Sequence, residues 1–173
     1  KEPPMSTQLH NKPIFLYEFF IFDLYCPHEV LLNISQPVLA IRFLDFPTLT
    51  LTGTVHEEKS LIRFNQGKSN FFEMDLEEIK TALLTYPLYI MFIDMNFGKM
   101  QILGTSKLNV AIFSKEKFLN FSPNSSAPKP LRNILKLFDN EGTKVAEFEI
   151  CLILRREYFL YDSKPFTLKQ DQT

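Results

Sequence analysis

Apolar residues recur along this chain mostly with the period of two that marks a strand, and once with the period of a helix. The clearest alternation covers residues 143–154. Ala146, Phe148, Ile150, Leu152 and Leu154 share one face, and Glu147 and Glu149 lie on the other. Residues 14–26, IFLYEFFIFDLYC, are the longest apolar stretch, interrupted only by Glu18 and Asp23. Without Gly or Pro, they predict a long strand covered on both faces. Residues 88–93 are apolar on both faces as well, as in the middle of a packed sheet. That strand is expected to end on Asp94, with a turn over residues 95–99. The return strand is expected to start at Ile102 and run on to Phe113, with Gly104 marking a bulge or a close backbone approach.

The remaining pattern is shorter. Residues 38–44 and 50–52 read as strands on either side of Pro47, which suits a bulge or an edge because it lacks an amide donor. Residues 53–60 read as a polar connection. Residues 61–64 form a short strand running into a turn at 65–69, and Phe71 and Phe72 continue extended. Asp75 and Glu78 have capping-box spacing, and Leu76, Ile79, Ala82 and Leu83 form one helical face that Tyr86-Pro87 ends. Residues 114–130, rich in Ser, Pro and Asn, read as a loop that opens with a short helical turn. Residues 134–138 read as a strand, and Asn140-Glu141-Gly142 as a turn into the last alternation. A further short extended piece is expected at 158–161. Together these predict an all-β, antiparallel eight-stranded β-sandwich with one short helix inserted between strands. Its expected extent is residues 13–161, with a flexible arm at 1–12 and a polar tail at 162–173.

Composition adds one unusual feature. The 173 residues include 18 Phe and no Trp, and so much aromatic surface needs a large core or a partner to cover it. The net charge of -1 offers no global field for nucleic acid, so no nucleic-acid partner is expected. Cys26 and Cys151 sit within strands and read as reduced, packed thiols. The polar start does not read as a signal peptide, and the sequons at Asn33, Asn120 and Asn124 read as chance matches.

The run PLYIMFID, a short turn and ILGTSKLNVAIF resemble the hairpin of a C2 domain that carries its third loop. The Asn-Glu-Gly turn followed by VAEFEICLIL resembles the last strand of that family. A narrower resemblance lies earlier. AIRFLDFPTLTL and IRFNQGKSNFF are similar to the N-terminal domain of microtubule-associated protein 10 and its relatives. Its most specific pieces are Leu44-Asp45-Phe46-Pro47, continued by Thr48-Leu49, and Gly67-Lys68-Ser69, with Gly104 carried by the C2-like hairpin. The resemblance implies a C2-like fold and a cytoskeletal setting at spindle, midbody, centrosome or cilium.

Calcium needs six to eight oxygen ligands from converging loops. Asp94, Asn96 and Asp45 are the weak candidates, and Lys99 opposes a cation, so Asp94 reads as a structural strand end. Gly67-Lys68-Ser69 lacks the upstream glycine of a phosphate loop and reads as a connecting turn. His10, His28 and His56 pair with no nucleophile, so neither an enzyme nor a cofactor is expected.

Two binding readings remain. Arg63, Lys68 and Lys107, with Lys59, could form a modest basic patch for phospholipid, with Phe97 and Met100 inserting from the tip Met95–Met100 around Lys99. Alternatively the surplus aromatics anchor a protein partner, since Phe19, Phe20 and Phe22 cannot share one interior. The expectation is a calcium-independent scaffold module. Its partners would be other cytoskeletal, centrosomal or ciliary proteins, with microtubules reached through a longer parent chain and dimerisation through a strand edge as a weaker option.

Overall fold

The computed structural model describes residues 12–119 and 129–157. Except for Lys12, the expected arm and tail lie outside the described residues, as do the 158–161 piece, Phe121 and the sequons at 120 and 124.

Ten strands form two packed layers. β1 (Ile14–Tyr25), β2 (Pro37–Arg42), β3 (Leu49–Thr52), β4 (Thr54–His56) and β5 (Leu61–Arg63) come first. β6 (Gln66–Glu73), β7 (Leu88–Asn96), β8 (Lys99–Leu108), β9 (Leu131–Phe138) and β10 (Lys144–Glu157) follow. One layer runs β3-β2-β7-β8, and the other runs β9-β10-β1-β6 with the small β4–β5 pair at the end of β1. All pairings are antiparallel, and the layers are stitched at one corner, where Thr105 of β8 pairs with Phe138 of β9. At another corner Gln66 Nε2 donates to the Thr52 carbonyl over 2.8 Å.

The alternating face of β10 is wholly buried, from Ala146 to Leu154, against Phe15, Tyr17, Phe19 and Ile21 of β1 and Leu39, Ile41, Ile90 and Phe92 of the opposite layer. Much of the surplus Phe is spent here. The Tyr17 and Phe43 ring centroids lie 4.7 Å apart, as do those of Phe46 and Phe72, and Phe15 stacks on Phe72 at 5.6 Å. Such pairs contribute about 0.5–1.5 kcal/mol each beyond area burial. Phe118 is buried against Phe113, with ring centroids 5.1 Å apart.

Gly104 lies beside a bulge, and the close approach to it comes from a side chain. The β7–β8 register shifts between Phe92 and Ile93, and a Cβ at 104 would meet Val145 Cγ2 at 2.6 Å.

Several expectations are corrected. The described residues hold ten strands, not eight: residues 54–56 pair with β5, and 66–73 form a strand that among the described residues pairs only with β1, although its composition is polar. Gly67-Lys68-Ser69 is therefore strand, not turn; a Cβ on Gly67 would meet the Phe19 carbonyl oxygen at 2.7 Å, so only glycine permits the approach. β8 stops at Leu108 because the Asn109 carboxamide accepts from the Ala111 amide and starts a 3-10 turn at Ala111–Ser114. The expected helix is α2 (Leu76–Thr85), flanked by four-residue helices α1 (His28–Leu31) and α3 (Glu116–Leu119). The Asp75 side chain makes no capping hydrogen bond and instead pairs with Lys12 at 3.2 Å. Ile79 and Leu83 are buried as expected.

Candidate interaction surface

Asp94 is 2% exposed and is the one buried charged side chain among the described residues. Its Oδ1 accepts from the Gln36 amide at 2.8 Å and the Ser35 amide at 3.2 Å, with Ser35 Oγ at 3.4 Å. The carboxylate thus fixes the segment entering β2 onto β7. Asp45 cannot join it around an ion. Pro37 pairs with Asp94 and Arg42 with Tyr89, so Arg42 lies roughly 17 Å along β2 at 3.3 Å per residue, and Asp45 lies beyond it. Asn96 is exposed and pairs with Lys99 across the hairpin, which sets an ammonium group beside the third candidate. These donors do not fit calcium, which needs several carboxylates on one ion.

β7 runs past Asp94 to Asn96, so the tip is a two-residue turn, shorter than the 95–99 turn expected. Phe97 and Gly98 both have positive φ, 50° and 74°, which makes the turn type I′. Glycine adopts that backbone freely, but a bulky aromatic is strained in it. Phe97 is also 98% exposed.

The tip continues into an apolar face. By strand alternation, Met91 and Met95 of β7 share the outer face with Met100, Ile102 and Thr105 of β8, and Ile93 between them is buried. Met100 is 61% and Ile102 48% exposed. At the far end this face becomes an open groove of about 1660 Å³ between the sheet and α2. Arg42 and Lys107 stand on its floor, and Asp45, Glu77 and Glu78 line its wall. The Lys107 ammonium sits 5.5 Å from the Tyr89 ring centroid.

The cations expected to act together are not assembled on one sheet. Lys107 is on β8, whereas Lys68 is on β6 in the other layer. Arg63 is paired with Asp23 at 3.4 Å, and Lys59 sits in the 3-10 turn Glu57–Lys59. The motif residues Leu44, Asp45, Phe46 and Pro47 form the turn after β2. Leu44 has φ 52° and is buried, and Phe46 joins the aromatic cluster through Tyr17, Phe43 and Phe72. Burial pushes the Cys26 thiol up to about 11, which makes it unreactive at neutral pH. Burial also raises the Tyr17 phenol, opposed by a hydrogen bond with Asn70. Sequence reasoning missed the groove, because its walls come from β2, α2, β7 and β8, which are distant along the chain.

The family model described as microtubule associated protein 10, N-terminal domain, matches residues 31–156. No curated protein matches the chain. Among solved structures, a C2 domain of plant extended synaptotagmin 1 aligns with TM-score 0.54 and 12% identity, over 86% of this chain and 99% of that one. A C2 domain-containing protein from a putative elicitor-responsive gene aligns with TM-score 0.53 and 11% identity, over 94% and 99%. Extended synaptotagmin 2, in a form carrying its SMP domain and two C2 domains, aligns with TM-score 0.53 and 9% identity, over 86% of this chain but 29% of its own. The fold is that of a C2 domain.

Proposed function

The chain belongs to the family of the N-terminal domain of microtubule-associated protein 10, and from that membership we propose that it is a calcium-independent protein-interaction module. It serves as a scaffold within a microtubule-associated protein acting at the centrosome, spindle, midbody or cilium, including during cytokinesis. Its binding surface is the β7–β8 tip with Met95, Phe97, Lys99 and Met100, and the apolar face behind them. Cytoskeletal, centrosomal or ciliary proteins are the partners, and the parent chain reaches microtubules through other segments. The observation that carries this reading is Phe97: an aromatic ring held in a strained turn and almost fully in water costs the fold twice, and contact with a partner recovers the burial.

Non-enzymatic action is supported by the placement of the described histidines, His28 at a helix start and His56 at a strand end. Calcium independence is supported by the commitment of Asp94 to backbone amides.

Proximity labelling with the unaltered chain, a Phe97→Asp variant and a Leu84→Asp control tests the surface. Leu84 is exposed on α2, outside the proposed contact. Cytoskeletal partners retained by the control and lost by Phe97→Asp support the reading; equal labelling by both variants removes it. Microtubule co-sedimentation of the chain alone is expected to be weak, and strong, salt-sensitive binding would make the domain itself the microtubule binder.

A second reading is peripheral attachment to phospholipid, favoured by the same apolar tip with Lys99 beside it. No helix among the described residues is long and apolar enough to cross a membrane. Because Lys107 lies apart from Lys68, the tip would carry most of the contact, so vesicle pelleting should fall when Phe97 and Lys99 become Ala. Absence of pelleting by the unaltered chain on phosphoinositide-rich vesicles would exclude this reading.

A further inference from the structure

The groove between α2 and the outer face of the β3-β2-β7-β8 layer is a second surface, at the end of that layer away from the hairpin tip. Register builds its floor. Ala40, Met91 and Thr105 form one cross-strand row, and Arg42, Tyr89 and Lys107 form the next. Arg42 and Lys107 therefore stand two strand spacings apart, about 10 Å, with the exposed Tyr89 ring between them. Among the described residues neither cation forms an ion pair. Helical period builds the wall, where Glu77, Glu78, Thr81, Ala82 and Thr85 share the face of α2 that lines the groove. Asp45 extends this acidic wall from the turn after β2. Among the described residues Asp45 and Glu78 form no ion pair either. Opposite charges thus line one groove without closing on each other.

We propose that this groove binds an amphipathic helix of a protein partner. Its apolar stripe lies on Met91 and Ala82, an acidic flank meets Arg42 and Lys107, and a basic flank meets Asp45 and Glu78. Size, backbone and charge each narrow the occupant to this. At about 1660 Å³ the groove exceeds the roughly 300–1,000 Å³ of small-ligand clefts. β2 and β7 each have strand neighbours on both sides, so the floor offers no backbone groups to an extended segment. A helix satisfies its own backbone and needs none. The lining carries three carboxylates against two cations, which disfavours an anionic bilayer. A helix with two basic flanks is repelled by the floor, and one with two acidic flanks by the wall. The proposal rests on the protein-interaction reading but not on the hairpin tip, since Tyr89 lies seven residues before Asn96 on β7, about 23 Å away.

Fluorescence anisotropy of the whole chain with three stapled helices tests the proposal. All three carry the same leucine stripe. One has Glu on one flank and Lys on the other, one has Glu on both, and one has Lys on both. The mixed helix is expected to bind about tenfold more tightly than either uniform helix. Arg42→Glu combined with Lys107→Glu is expected to shift the preference to the all-Lys helix, with an unchanged circular dichroism spectrum. Leu84→Asp, on α2 outside the groove, is expected to leave the order of the three unchanged. Equal binding of the three helices, no binding at all, or an unchanged order in the charge-reversed variant would each overturn the proposal. Binding that Phe97→Asp abolishes and the charge reversal spares would overturn it too, by placing the helix at the hairpin tip. Pelleting on phosphatidylserine vesicles that Arg42→Ala with Lys107→Ala abolishes, without binding of the mixed helix, would make an anionic bilayer the occupant instead.

Discussion

The backbone amide of Gln36 donates to Asp94 Oδ1 across 2.8 Å, tying the entry of β2 to the last residues of β7. The residue best placed by sequence to hold a cation thus serves as a hydrogen-bond acceptor for the chain's own backbone amides. Replacing it with Ala leaves two part-buried amides without this acceptor and is expected to cost about 1–2 kcal/mol of stability. Asn keeps an acceptor and is expected to cost about 1 kcal/mol. Urea denaturation measures both, and added calcium is expected to leave the unaltered protein's Tm unchanged; a rise in Tm would restore the metal site.

Gly104 and Val145 meet across the corner between the layers, with a Cβ-to-Cγ2 approach of 2.6 Å if a methyl is added. Gly104→Ala is therefore expected to destabilise by about 1–3 kcal/mol through overpacking. Adding Val145→Ala should recover part of the loss, and a double-mutant cycle from denaturant midpoints reads the coupling.

Phe97→Asn gives the type I′ turn its preferred Asn-Gly pair. The isolated domain should gain about 1 kcal/mol, because the strained residue is relieved. Partner capture should be lost in the same variant. A higher Tm with undiminished partner binding would show that the ring serves neither fold nor function.

Cys26 and Tyr17 both have upward-shifted pKa values caused by burial. For each, the native state holds its proton after the unfolded chain has released it. Stability is therefore fully present below the unfolded values, 9.0 for Cys26 and 10.0 for Tyr17. It declines as pH rises from 9.0 through about 11, the folded value of Cys26. The decline attributable to Cys26 is about 3 kcal/mol, and Cys26→Ala is expected to flatten it in denaturant midpoints taken above and below pH 9.0.

The sandwich was readable where burial imposes a period. Ala146 to Leu154 alternate because one face meets the core, and Leu88 to Phe92 are apolar because the strand is central. Gly104 was readable because an isolated glycine in a strand has few other uses. β6 was not readable, since a strand with one face in water can be Gln-Gly-Lys-Ser-Asn, the composition of a turn. The Asp75 cap failed because Lys12 competes for the carboxylate, a partner from far along the chain. The tip residues at 95–100 were legible as an exposed hairpin; the positive φ of Phe97 was not, because the register of β7 on β8 sets it. The split of the cations between layers likewise follows from topology and not from local pattern.

β1 sits between β6 and β10, and its register with β10 runs from Ile14↔Glu157 to Tyr25↔Glu147. The first and last described strands are therefore neighbours, and one layer closes only after nearly the whole described chain has been synthesised. Closing so long a loop precedes any reward from contacts, which makes for slow folding. During synthesis Phe15, Tyr17 and Phe19 must wait uncovered, so a nascent or truncated chain ending before β10 presents an aromatic strand to chaperones and to its neighbours.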